Sequence, residues 1–88
     1  MGKYKLAFKK SVAGDLRDLP GKDVHRILKC FEQLVENPRP AGCEKLSGQE
    51  RYRVRQGVYR IVYEILDDVL KVVVVKIGHR RDVYKIKR

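Results

Sequence analysis

The sequence predicts an α+β fold: a two-helix hairpin packed on one face of a four-stranded, mainly antiparallel sheet, in the order β-α-α-β-β-β, followed by a short basic C-terminal segment. Three observations carry this expectation. Apolar residues alternate at the start, change to helical spacing from Lys9, and return to strand-like runs after residue 50. Pro and Gly fall where the period changes, at Pro20-Gly21 and in "NPRP" at 37–40. The last three apolar runs are separated by residue pairs, the spacing of hairpins.

Residues 3–8, "KYKLAF", alternate polar and apolar, and Tyr4, Leu6 and Phe8 form the apolar side of a first strand. Val12, Leu16 and Leu19 then mark one face of a short helix that Pro20-Gly21 ends. A second helix opens near Lys22. In it Val24, Ile27, Leu28, Phe31, Leu34 and Val35 recur at helical spacing and present one apolar stripe to a core. "NPRP" stops this helix, because a residue before proline is pushed out of the helical region. Residues 41–50 are expected to form a loop. Three strand runs follow, "RYRVR" (51–55), "VYRIVYEIL" (58–66) and "VLKVVVVKIG" (69–78), linked by Gln56-Gly57 and Asp67-Asp68.

The 88 residues fit one domain, 1–88, with a modest core. Hydrophobic residues make up 43% and charged residues 36%, a soluble composition with a heavily charged surface. The formal charge of +10 surrounds so small a body with positive potential, which suits nucleic acid or an acidic protein as partner. Cys30 and Cys43 lack the spacing of a metal site or a disulfide framework and read as reduced thiols of a cytoplasmic protein. "MGKYKLAFKK" has no apolar signal-peptide region, and no run approaches a membrane span. No metal, cofactor or membrane contact is expected.

The arginines are the unusual feature. With Gln56-Gly57 as the turn, Arg55 would lie opposite Val58 and Arg53 opposite Arg60. Side chains alternate faces along a strand, so Arg51, Arg53, Arg55 and Arg60 project from one face. Like charges directly opposed across strands destabilise a sheet, and a chain that keeps such a pair has an anion to place between them. With Asp67-Asp68 as the next turn, Glu64 would face Lys71. The arginine face then also carries Val62, Val73, Val75 and Ile77, an aliphatic floor for a partner to cover. The other face carries Tyr52, Val54, Tyr59, Ile61, Tyr63, Ile65, Val72 and Val74. It is the more continuously apolar, so the helices are expected there. Tyr59 and Tyr63 read as packing residues and His25 as solvent-facing. At the end of the last run, "HRRDVYKIKR" (79–88) places Arg80, Arg81 and Tyr84 where they can fold back toward Arg53, Arg55 and Arg60, and His79 either shapes the strand end or lies close enough to act.

"KLSGQERYRVRQGVYRIVYEI" (45–65) and "GHRRDVY" (78–84), after a helix ending in "ENPRP", resemble the RelE/ParE toxin superfamily. Within it the match is to the RelE-type messenger-RNA endonucleases of type II toxin–antitoxin pairs, over nearly the whole chain. The resemblance implies helices on one face of a mainly antiparallel sheet and metal-independent cleavage of messenger RNA in the ribosomal decoding site. The implied reaction is attack of a ribose 2′-hydroxyl on the adjacent phosphate, leaving a 2′,3′-cyclic phosphate. Position by position, Arg53 and Arg55 fall on the family's two basic positions before the hairpin, and Arg60 on the arginine of its "YR" pair. Arg80 falls on the arginine after the strand-end glycine, and Tyr84 on the C-terminal tyrosine. These five are the implied catalytic residues, with Arg51, His79, Arg81 and Lys85 as further RNA- and phosphate-binding groups. An antitoxin is the implied partner, bringing an amphipathic, acidic helix to Val62, Val73, Val75 and Ile77.

The chemistry suits these residue types. Arginine forks supply bidentate donors to the charge of a phosphorane-like transition state, and fixed donors on strands hold the phosphate for in-line attack. The best-known members carry lysines where this chain has Arg53 and Arg55. Arginine does not give up its proton, so it binds and stabilises but is a poor base. That shifts proton transfer toward Tyr84, with His79 as a reserve acid or base. Two other functions share the fold: gyrase inhibition, as in the ParE branch, which lacks the basic and tyrosine set, and RNA or partner binding without cleavage.

Overall fold

The computed structural model describes residues 3–46 and 51–79, the last of these by its backbone alone. In chain order the elements are β1 (Lys5–Phe8), α1 (Lys10–Arg17), α2 (Gly21–Glu36), β2 (Glu44–Lys45), β3 (Arg51–Gln56), β4 (Tyr59–Leu66) and β5 (Lys71–His79). The strands make one sheet in the order β1-β5-β4-β3-β2. β1 runs parallel to β5, and the other neighbours pair antiparallel. The expected α+β class is observed, with a fifth strand in the stretch expected to be a loop. That strand, β2, pairs Glu44 with Arg53 and Lys45 with Tyr52. Two residues are too few to show a period, which is why the pattern missed it.

The helices lie on the expected face. Ile27, Cys30, Phe31 and Leu34 of α2, spaced i, i+3, i+4 and i+7, are buried together with Val12 of α1. They meet Tyr52, Tyr59, Ile61, Tyr63, Ile65, Val72 and Val74 from the sheet. Each large apolar side chain so removed from water contributes about 1.5–3 kcal/mol. His25 is exposed, as its neighbours suggested. Asn37 leaves the helical region at φ −146° and ψ 93°, ahead of Pro38.

Hydrogen bonds tie the helix ends to the sheet. The Tyr63 hydroxyl, fully buried, donates to the Pro38 carbonyl at 2.6 Å. Tyr59 donates to Asp23 Oδ2 at 2.7 Å, in the first turn of α2, where a carboxylate also complements the helix dipole. At the opposite end of β4, Asp67 accepts from Tyr4 at 2.7 Å and from Arg39 at 2.9 Å. Arg39 also donates to the Tyr52 hydroxyl at 3.3 Å, and its guanidinium stands 5.3 Å from that ring's centre.

Both turns differ from expectation, and each difference moves a register. The β3–β4 turn is Gly57-Val58, so Gln56 pairs with Tyr59. Its positive φ, +62°, falls on Gly57 alone of the two, the glycine position of a type II′ hairpin. Arg60 therefore stands opposite Arg55, and Arg53 opposite Val62. The register moves by two residues, which leaves every face assignment on these strands intact. The β4–β5 turn takes four residues, 67–70, with Leu70 in the left-handed region at φ 51°. Glu64 consequently faces Val73, and Lys71 faces Leu66. Between the pairs Tyr63–Val74 and Val62–Lys76 the register slips by one, with Val75 as the extra residue of a bulge. A one-residue slip reverses the faces of all later residues on the strand. Ile77, expected on the arginine face, is instead buried in the core at 6% exposure.

Candidate functional site

On the face away from the helices, pairing places side chains in rows across the strands. The row of Arg51 continues through Glu64 and Val73 to Ala7. The next runs from Glu44 through Arg53 and Val62 to Lys76. The row nearest the Gly57-Val58 turn is Arg55, Arg60 and Gly78. Arg51, Arg53, Arg55 and Arg60 thus share one face, as their alternation predicted.

The carboxylates divide these arginines into two kinds. Arg51 Nε donates to Glu64 Oε2 at 2.8 Å across the β3–β4 ladder. Arg53 Nη2 makes a hydrogen-bonded ion pair with Glu44 Oε1 from β2. Arg55 and Arg60 have no carboxylate partner among the described residues. Gln56 and Tyr59 flank the two-residue turn and form its hydrogen-bonded pair, so Arg55 and Arg60 form the next, non-hydrogen-bonded pair. In such pairs the side chains approach most closely, with Cβ atoms about 4.5–5.5 Å apart. Beside Arg60 the row ends at Gly78, where an added Cβ would meet nothing within 4 Å among the described residues. On the Arg55 side, Ala41, Gly42, Glu44, Arg53, Val54 and Arg55 line a shallow depression. Among the described residues, two adjacent guanidinium groups therefore sit uncovered and without a carboxylate counter-ion.

The electrostatics agree. The hydrogen bond and charge of Arg53 hold the Glu44 carboxyl below its usual range, and the charges of Arg55 and Arg60 add to the effect. One carboxylate feels all three arginines, so their positive fields overlap there.

Val62 and Val73 are half-buried on this face, and Val75 is half-buried at the bulge. Arg80, Arg81, Tyr84 and Lys85 lie outside the described residues, as does the side chain of His79. Sequence reasoning missed Glu44. Its signal was an acid two residues after Gly42, in a segment expected to carry no element.

The chain matches the family of ParE toxins of type II toxin–antitoxin systems, parDE, over residues 6–84. It belongs to that family. Among relatives, the toxin is 33% identical to RelE1 of Methanocaldococcus jannaschii, over 94% of this chain and 97% of that protein. The fold is similar to RelE in the RelE–RelB complex from Pyrococcus horikoshii, with a TM-score of 0.78 and 25% identity over 89% of this chain and 96% of that one. It is also similar to the isolated RelE toxin of E. coli, at a TM-score of 0.76 and 26% identity, covering 93% of this chain and 92% of that one. This toxin of a type II toxin–antitoxin system is therefore RelE-like. No helix among the described residues is long and apolar enough to cross a membrane.

Proposed function

We propose that this RelE-like toxin is an endoribonuclease that cuts translated messenger RNA in the ribosomal decoding site and so stops translation in the cytoplasm. One observation carries the proposal: Arg55 and Arg60 face each other directly, with no carboxylate partner among the described residues. Like charges so placed destabilise the sheet unless an anion binds there. A bridging phosphate of RNA accepts from both guanidiniums, and Arg53 adds a third. Fixed on strands of one sheet, these donors hold the phosphate for in-line attack by the neighbouring 2′-hydroxyl and stabilise the charge that builds on its oxygens. Arg80 contributes a further donor and Tyr84 orients the 2′-hydroxyl or takes its proton. Arg51, His79, Arg81 and Lys85 extend the contact along the RNA backbone. No metal or cofactor takes part.

A cognate antitoxin neutralises the toxin. A net charge of +10 suits an acidic partner, and the half-buried Val62, Val73 and Val75 offer it an aliphatic strip within the charged rows. Ile77, buried behind the sheet, is not part of that strip.

The test is expression of the wild type and of the Arg80→Ala/Tyr84→Phe double variant from a tightly repressed promoter, followed by mapping of messenger-RNA ends. Growth arrest with new breaks inside translated frames, absent in the variant, is the expected outcome. Arrest with intact messages refutes the nuclease and points to gyrase, the target a supercoiling assay would then examine.

A further inference from the structure

Glu44 holds the one arginine that separates the anion site from the neutralised part of the face. Its partner Arg53 stands in the row beside the bare pair Arg55 and Arg60. Two carboxylates meet arginines here, and they are held differently. Glu64 is on the central strand β4, with 29% of its side chain exposed, and its bond to Arg51 lies within the ladder. Glu44 is on the two-residue outer strand β2, with 61% of its side chain exposed. Its backbone neighbours are fixed independently: Cys43 N–H donates to Pro40 O at 3.1 Å and Leu46 N–H to Arg51 O at 2.8 Å. Glu44 can therefore leave Arg53 by side-chain rotation into water, with the strand still paired.

We propose that Glu44 is a built-in competitor for the RNA phosphate: it occupies Arg53 in the free protein and yields that arginine to the phosphodiester backbone on binding. The inference rests on the proposed RNA site and adds to it a residue that sets selectivity. A carboxylate on Arg53 meets one guanidinium. A bound phosphate meets Arg55 and Arg60 as well, and charge-assisted bonds to three arginines outweigh one. A small anion that reaches Arg53 alone must compete with a tethered carboxylate already in place. Glu44 thus suppresses occupation of the site by weak anions while costing RNA little, and it also reduces the repulsion among three neighbouring arginines in the free protein. The three arginines hold this carboxyl ionised well below neutral pH, so the competitor is present in the cell.

The experiment measures fluorescence anisotropy of the purified full chain with a 2′-O-methyl single-stranded RNA, which binds but cannot be cut, at fixed salt. Replacing an exposed, ion-paired carboxylate by its isostere in Glu44→Gln should tighten binding about two- to fivefold. Asp68→Asn, which removes a charge from the far turn, should gain less. The gain from Glu44→Gln should vanish in an Arg53→Ala background, because nothing is then released. It should also lower the inorganic phosphate concentration needed to displace the RNA. A Glu44→Gln variant that folds, by its unchanged circular dichroism, yet gains no more than Asp68→Asn would overturn the competitor, provided Arg55→Ala still weakens binding. Weaker binding by Glu44→Gln would overturn it too, making the carboxylate part of the RNA contact. No effect from Arg55→Ala would remove the RNA site itself, and the competitor with it.

Discussion

Arg55→Ala should weaken RNA binding while leaving the fold intact or firmer, and this opposition of signs is what distinguishes a functional arginine from a structural one. Arg55 is exposed, has no carboxylate partner among the described residues, and faces Arg60 in a close, non-hydrogen-bonded pair. Directly opposed like charges cost about 0.2–1 kcal/mol. Relief of that repulsion raises Tm by roughly 1–6 °C in a chain of this size. Against it stands the loss of one charge-assisted contact to phosphate, about 1.5 kcal/mol at the low end expected for an exposed site, or about tenfold in Kd. The same contact carries a salt signature. Each phosphate neutralised on a single strand contributes about −0.7 to the slope of log K against log salt. Anisotropy titrations between about 0.05 and 0.3 M salt should therefore give a flatter line for Arg55→Ala by about 0.7, and thermal melts should show no loss of stability. A fall in Tm of several degrees, or an unchanged affinity and slope, would refute the assignment of this arginine to RNA.

Two further predictions concern the ties between helices and sheet. Tyr63→Phe removes a buried hydroxyl and leaves the buried Pro38 carbonyl unpaired, so it should cost about 1–2 kcal/mol and lower Tm by roughly 5–12 °C; a melt within a degree of wild type would deny the bond any net worth. Asp67 is held below its ordinary value of 3.8 first by Arg39 and then by Tyr4. A depressed carboxylate pKa stabilises the fold above the unfolded value and loses that contribution as pH falls through the folded one. Denaturant melts should thus show Asp67→Asn less stable than wild type at neutral pH, with the gap closing below about pH 3.8; a gap independent of pH would rule out the ion pair as its source.

The face that each arginine occupies could be read from alternation alone. It survived a wrong turn assignment, because the true register differs by two residues and parity is unchanged. Which arginine opposes which could not be read, since that depends on whether Gly57 takes the first or the second position of the turn. The observed pairing of Gln56 with Tyr59 decides it. Ile77 failed for a stricter reason. The run of valines before it is apolar at every position, so its sequence carries no period that a bulge at Val75 would visibly break. Glu44 was missed because β2 is held by pairing with β3, a partner distant in sequence from the viewpoint of a two-residue segment, and propensity has no purchase at that length.

The distribution of acids on the sheet makes the arginine face graded. At the end nearer residue 51, Glu64 neutralises Arg51 from inside the ladder. In the middle row Glu44 neutralises Arg53 from an exposed outer strand, a bond that rotation can undo. At the hairpin end Arg55 and Arg60 are neutralised by nothing described, and β5 reaches that end at Gly78, directly beside Arg60. The chain continues from there into "HRRDVY", the second segment that carries the family resemblance. A uniform basic face would bind polyanions in many registers with similar energy, because exposed charges alone carry no positional preference. A graded one concentrates unopposed arginine charge in a single row and ranks the others behind it. Binding in one register is what in-line cleavage requires, since the attacking hydroxyl must be aligned with one particular phosphate. In the proposed cleavage the two glutamates, by pairing two of the four arginines, therefore do as much to define the reactive position as the arginines they leave bare.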